Sequence, residues 1–189
     1  RNVSEEVEGE EDISVYLIPQ VGDLDERSYP FEFVGDTARD FNDQVFNVER
    51  ERLDNATRLT FTSDPLNGLV ATKAFTFYDD SYVVDVEVSF DNSETGKSLG
   101  RRLGWGIGWQ GGFGPPHETD RVHGYGENTV VAVDEDLKVR KLDRDDEPDV
   151  YRAEDIEWAG QEKKFFVALM IPDKAHSIAE VRTSFDPKN

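Results

Sequence analysis

Apolar residues along this chain fall mostly into short runs with a spacing of two, and polar, turn-forming residues separate the runs. The clearest case is LVATKAFTFYDDSYVVDVEVSFDN, Leu69 to Asn92. Phe75 and Phe77 share one side, and Asp79 and Asp80 supply turn chemistry. Tyr82, Val84, Val86, Val88 and Phe90 then alternate with Val83, Asp85, Glu87 and Ser89. Such alternation sets one face of an extended strand toward a core and the other toward water, whereas a helix would scatter the charged residues into its own apolar face. The segment predicts a β-hairpin turning at Asp79 and Asp80. Asp91, Asn92 and Ser93 end its second strand.

Further strands are predicted from ISVYLIP beginning at Ile13, from FEFV with its two phenylalanines, and from RLTFTS. In RLTFTS, Leu59 and Phe61 oppose Arg58, Thr60 and Thr62. TVVAV at Thr129 to Val133, LKVRKL around Val139, and FFVALMI complete the set. No stretch of ten or more residues has helical periodicity with caps at both ends. The fold class is therefore all-β, mainly antiparallel, and strands at this density joined by polar turns point to a sandwich or a barrel. No internal repeat is visible, which argues against a propeller or solenoid. The irregular part is GRRLGWGIGWQGGFGPPHETD. There Gly104, Gly106 and Gly108 alternate with Trp105, Ile107 and Trp109, so one face of a strand would be bare and something must approach it closely, either another backbone or a ligand.

The chain has 189 residues, 37% of them hydrophobic, which is enough for one sizeable core and does not demand two domains. Residues 1–12, RNVSEEVEGEED, are mostly acidic and read as a tail or linker, leaving 13–189 as a single domain. The longest apolar run, FFVALMIP, is less than half of the roughly 20 residues that a membrane-spanning helix needs. Beginning at Arg1 with no basic-then-apolar leader, the sequence reads as a piece of something longer. Asp and Glu number 41 against 21 Lys and Arg, a net charge of −20. A surface of that sign repels phosphate backbones and anionic headgroups, so nucleic acid is not an expected partner. It also suits salt-rich surroundings, where self-repulsion is screened within about 3 Å at 1 M salt. With no Cys there is neither a disulfide framework nor a thiolate metal site.

Candidate chemistry is sparse. His117, His123 and His176 lie in loop-like segments without HxxxH or HxH spacing, so no metal ligand set is expected, and no catalytic residue or cofactor can be assigned. Carboxylate pairs are abundant, but 41 acids in 189 residues produce them by chance. Trp105 and Trp109, with Phe113 beyond them, are the candidate contacts for a sugar or an extended peptide, since flat rings stack on apolar faces. Filling between two sheets is the commoner use of such residues. Trp158, between Ile156 and Ala159-Gly160, reads as structural.

Two blocks of residues carry a resemblance. The first is Lys73, Phe75 and Phe77, then Ser81 and Tyr82, then Asn92. The second is Trp158, Gly160, Lys164, Phe165 and Phe166, closed by Ile171 and Pro172. In this order they resemble the periplasmic domain of the YidC-type bacterial membrane protein insertases, of the YidC/Oxa1/Alb3 family. The likeness covers roughly Leu59 to Pro172, and the family usually has tyrosine where this chain has Phe165. The resemblance implies a β-supersandwich, a two-sheet fold like that of galactose mutarotases. It also implies a location on the periplasmic face of the inner membrane, as one part of a multi-spanning protein. The domain would be noncatalytic, an interaction or scaffolding module of an insertase or chaperone, with components of the Sec translocon and nascent membrane proteins as partners. Lys73, Phe75, Tyr82, Asn92, Trp158, Gly160, Lys164, Phe166 and Pro172 would be structural, and DIEWAGQEKKFFVALMIP a turn followed by a buried core strand. The rivals are a mutarotase-like sugar enzyme, which would need one of the three histidines as acid facing a glutamate base, and a carbohydrate or peptide binder using Trp105 and Trp109.

Overall fold

A computed structural model describes residues 3–5, 13–15, 30–92, 104–109, 129–134, 139–142, 150–163, 166–173 and 178–183. The chain divides into two compact units, one formed by 1–30 with 109–189 and the other by 31–108. Within the acidic opening stretch, β1 (Val3–Glu5) pairs antiparallel with β2 (Ile13–Val15), Ser4 opposite Ser14.

In the unit of residues 31–108, β3 (Pro30–Val34) leads into a 3-10 helix, Ala38–Asp43. There follow β4 (Phe46–Arg52), β5 (Ala56–Ser63), β6 (Val70–Tyr78) and β7 (Val84–Asp91), a meander in which every neighbouring pair is antiparallel. β8 (Gly106–Trp109) pairs with β3 in a separate two-stranded sheet. The predicted hairpin is β6 and β7, with Phe75 opposite Val86 and Lys73 opposite Val88. Along β7 burial alternates at every residue, Val84, Val86, Val88 and Phe90 inward, as the period of two requires. Tyr82 departs from the expected strand. It sits in the connecting loop, 78% exposed, where the Val83 N–H donates to Ser81 Oγ over 3.0 Å and turns the chain before β7 begins.

Register sorts the meander into two faces. Phe61, Lys73 and Val88 stand side by side on one, with Ser63, Ala71 and Phe90 in the next row. The other face holds Arg58, Thr76, Asp85 and Glu87, and is polar. A two-residue turn at Asn67 and Gly68 joins β5 to β6. Both residues have positive φ, 53° and 81°, and Leu66 and Leu69 exchange N–H···O bonds of 2.8 and 3.0 Å across it. This Asn-Gly pair is a strong hairpin signal in the sequence, because the mirror-image turn that matches strand twist needs both central residues in the left-handed region. The core lies at this end of the meander. Phe33, Ala38, Phe41, Leu69 and Ala71 are buried, with Phe46, Leu66, Val88 and Phe90 packed against them. Asn42 ties the helix to β3 by bracketing one residue, its Oδ1 accepting from the Phe33 N–H and its Nδ2 donating to the Phe33 carbonyl, both at 2.8 Å.

In the other unit the strands are β9 (Thr129–Asp134), β10 (Val139–Leu142), β11 (Val150–Lys163), β12 (Phe166–Met170) and β13 (Ile178–Arg182). They form one antiparallel sheet in the order β10-β9-β11-β12, with β13 paired to the first half of β11 and β12 to the second. The turn expected at Asp155 to Lys163 is instead the second half of a 14-residue strand. The reason is a register shift against β9 between Ile156 and Trp158. The extra residue lets Ile156 and Ala159 both enter the core beside Ala132 and Leu142, so the period of two is broken while the strand continues. The strand expected to be buried, FFVALMIP, is buried on one side only. Ala168 and Met170 are half-buried, whereas Val167, Leu169 and Ile171 are exposed.

The fold is all-β, built of mainly antiparallel strands in several sheets, as expected for the sandwich class. Among the described residues no helix is long and apolar enough to cross a membrane.

Candidate functional site

The strongest convergence of predicted site residues is the aromatic row around Lys73. β6 presents Lys73, Phe75 and Phe77 on one face, and β3 brings Phe31 and Phe33 to them. The Phe75 ring meets Phe31 edge-on at 5.2 Å, Phe61 edge-on at 5.8 Å and Phe77 in a stack at 6.3 Å. Lys73 Nζ lies 3.6 Å from the centre of the Phe33 ring and donates to the Phe31 carbonyl at 2.6 Å. Phe31 has φ +65°, uncommon for an aromatic residue, and the Lys73 bond together with the Phe75 contact holds it there. Burial pushes the Lys73 ammonium down to about 8, with Glu32 acting in the opposite sense. The lysine of the resemblance thus bonds β6 to β3, and the half-buried Phe75 lies on the same face of β6.

Trp105 packs on Phe90 at 5.7 Å, and Phe90 continues to Phe33 at 5.2 Å and Phe41 at 5.8 Å. One part of its indole joins the core, while the residue keeps 45% of its surface exposed. The bare face of β8 is covered by β3. A Cβ on Gly106 would come within 2.9 Å of Val34, and one on Gly108 within 3.0 Å of Glu32. The close approach that the glycine spacing demanded therefore comes from neighbouring side chains. Gly35, at φ +112°, lies so near the Gly104 carbonyl that a Cβ would stand 2.5 Å from it. Trp109 is half-buried, and its carbonyl accepts from Gln161 Nε2 on β11 at 2.8 Å. The Gln161 Oε1 is buried without a partner among the described residues.

Of the remaining candidates, Asn92 follows β7 and is half-buried, as are Trp158 and Pro172. Trp158 stands opposite Val133, which is almost fully buried. Gly160 lies under β12, where a Cβ would stand 2.2 Å from the Ala168 carbonyl and 2.9 Å from Leu169 Cδ2. Phe166 opens β12. Phe113, Lys164, Phe165, His117, His123 and His176 lie outside the described residues.

Charge pairs lie on both faces of the meander. On the polar face Arg58 grips Glu87 through two bonds of 2.9 Å, which hold the Glu87 carboxyl below the usual range, and at the far end of the Phe77 face Arg52 grips Asp79 through bonds of 2.9 and 2.6 Å. Such pairs on an exposed surface contribute little to stability. Among the described residues no group of three or more His, Asp or Glu is placed to hold a metal ion. What the arrangement offers is largely apolar: aromatic edges and faces beside the bonded Lys73.

The sheets and the aromatic row define an antiparallel all-β domain. The family described as the YidC periplasmic domain matches residues 5–189, both units included, and the chain belongs to that family. It is thus a domain of a YidC-type membrane insertase, of the part named for the periplasm. Neither individual curated proteins nor solved structures give a significant match.

Proposed function

We propose that this chain serves as a noncatalytic interaction or scaffolding module of a membrane insertase, on the periplasmic face of the inner membrane and beside the Sec translocon and emerging membrane proteins. The family match over residues 5–189 carries this reading. Its continuity across both units also supports taking 13–189 as one domain. The half-exposed Trp105, backed by Phe90, Phe33 and Phe41, is the contact we assign to a partner, because a ring anchored on one side and open on the other gives apolar area at low entropic cost. Trp109 and Phe113 remain further candidate contacts from the sequence. The excess of acidic residues keeps the module away from anionic headgroups, so its contribution comes through protein contacts.

The test is site-specific photo-crosslinking from position 105 in a full-length insertase during membrane protein synthesis. Adducts with translocon subunits or nascent chains are expected, and a crosslinker at exposed Asp80 should give far fewer. Equal yields at the two positions would refute the assignment of Trp105.

A further inference from the structure

Asn67 is the one asparagine in the sequence that glycine follows. That neighbour matters chemically, because a backbone nitrogen with no Cβ beside it can swing back onto the side-chain amide of the residue before it. Asn42, Asn47 and Asn55 instead precede Asp43, Val48 and Ala56, whose Cβ atoms hinder the approach. Asn42 is further held by its two bonds to Phe33, one at each end of the amide.

The surroundings leave Asn67 open to reaction. It is exposed at the tip of the turn between β5 and β6, and among the described residues neither its side-chain amide nor the Gly68 N–H has a hydrogen-bond partner. For the Gly68 nitrogen to face Asn67 Cγ, the peptide unit between the two residues must rotate. With both φ positive, at 53° and 81°, the turn is of type I′, and that rotation keeps Asn67 at positive φ while carrying Gly68 to negative φ, which is type II′. Glycine accepts either sign. Both turn types suit the twist of a hairpin, so the Leu66 and Leu69 bonds of 2.8 and 3.0 Å can persist through the change. The reactive geometry is within reach of a closed hairpin.

We propose that Asn67 is a site of spontaneous covalent modification in the folded chain. The Gly68 nitrogen gives up its proton to base and bonds to Asn67 Cγ, the Cγ–Nδ2 bond breaks, and ammonia leaves. The cyclic imide so formed takes up water at one of its two carbonyls. Water at Cγ yields aspartate with the backbone unchanged, whereas water at the main-chain carbonyl yields isoaspartate, in which the chain runs through Cβ and Cγ. Each product replaces a neutral amide by a carboxylate. Their effects on the fold differ. Asp-Gly is itself a favoured pair for this turn, but isoaspartate lengthens a two-residue turn by a backbone atom and pulls on Leu69, which is 1% exposed in the cluster of Phe33 and Ala71.

The test ages the chain at mildly alkaline pH, folded in buffer and unfolded in urea, and follows both acids at position 67 by peptide mapping with chromatographic separation. Asn67 should be converted ahead of Asn42, Asn47 and Asn55, and faster as pH rises. In the folded chain the rate should lie within about tenfold of the unfolded rate, whereas a route through global unfolding would be slower by about a thousandfold or more. The separated isoaspartate form should melt below wild type and Asn67→Asp should melt with it, while an aged Asn67→Gly chain, which keeps a favoured turn pair, should hold its midpoint. A folded-state lag larger than tenfold would show that the hairpin must open, and would overturn the proposal. So would equally fast conversion at another asparagine, an isoaspartate form as stable as Asn67→Asp, or an aged Asn67→Gly chain that loses stability as wild type does.

Discussion

Replacing Lys73 with methionine keeps most of the stem that packs among Phe31, Phe33 and Phe75 and removes the ammonium. In the folded chain that ammonium is half-buried, and burial lowers it from 10.5 to about 8. Because the group is only half-buried, solvent screening reduces the corresponding desolvation cost to about 1–2 kcal/mol, present wherever both folded and unfolded chains hold the proton. Above about pH 8 the folded chain releases the proton while the unfolded chain keeps it up to about 10.5, so the unfolded state binds more protons and stability rises with pH. The methionine variant lacks this titration. Urea denaturation of both proteins at intervals from about pH 7 to about pH 10 should show wild type gaining about 1 kcal/mol on the variant over that range, nearly all of it above pH 8. Taking the difference cancels the titration of the remaining groups. At neutral pH the variant escapes the desolvation cost but loses the Phe31 carbonyl bond and the contact with the Phe33 ring, each of about 1 kcal/mol, so the two proteins should lie close together there. A stability difference that is flat with pH would show that Lys73 keeps its charge well hydrated, and would refute its desolvation.

Four further outcomes are expected. Gly160→Ala forces a methyl group against the Ala168 carbonyl and should cost about 1–3 kcal/mol in denaturant unfolding, and an unchanged midpoint would disprove the close approach of β11 and β12. Phe33→Ala removes a ring that is 1% exposed at the centre of its cluster and should cost about 3–5 kcal/mol by the same assay. Trp158→Ala, at a half-buried position, should cost less than that, and a loss as large as the Phe33 variant's would mean its ring is fully enclosed. The thermal midpoint should rise between dilute and molar salt, because the charge of −20 makes the folded chain repel itself, and a lower midpoint in salt would count against a salt-adapted surface.

Local pattern alone determined the antiparallel hairpin of β6 and β7 and the strands at β3, β5, β9, β10 and β12. In each, residues of one solubility class recur every second position, and that period is set by backbone geometry whatever the strand packs against. The Asn67-Gly68 turn was passed over in the sequence, although the left-handed conformations that pair tolerates were the signal for it. The family could be read from Lys73 and Phe75 in one block and Trp158 and Gly160 in another, because each position combines a residue type with a spacing. β4 escaped the pattern since its tail, Glu49 to Arg52, is charged on both faces, the dress of an edge strand that buries little. β11 escaped it because a register shift at Glu157 breaks the period.

Tertiary structure alone decided what those residues do. Nothing in the order of the chain places Lys73 over Phe33, forty residues away, or sets Val34 and Glu32 over the bare side of Gly106 and Gly108. Burial of Phe33 and exposure of Leu169 are likewise invisible locally, since both lie in apolar runs and differ only in whether another element crosses them. Side-chain periodicity reports which residues share a face, and only the pairing of distant strands reports what that face meets. The apolar run at β12 followed from the sequence; which of its residues are exposed, Val167 and Leu169, and which half-buried, Ala168 and Met170, was decided by the packing of the strand.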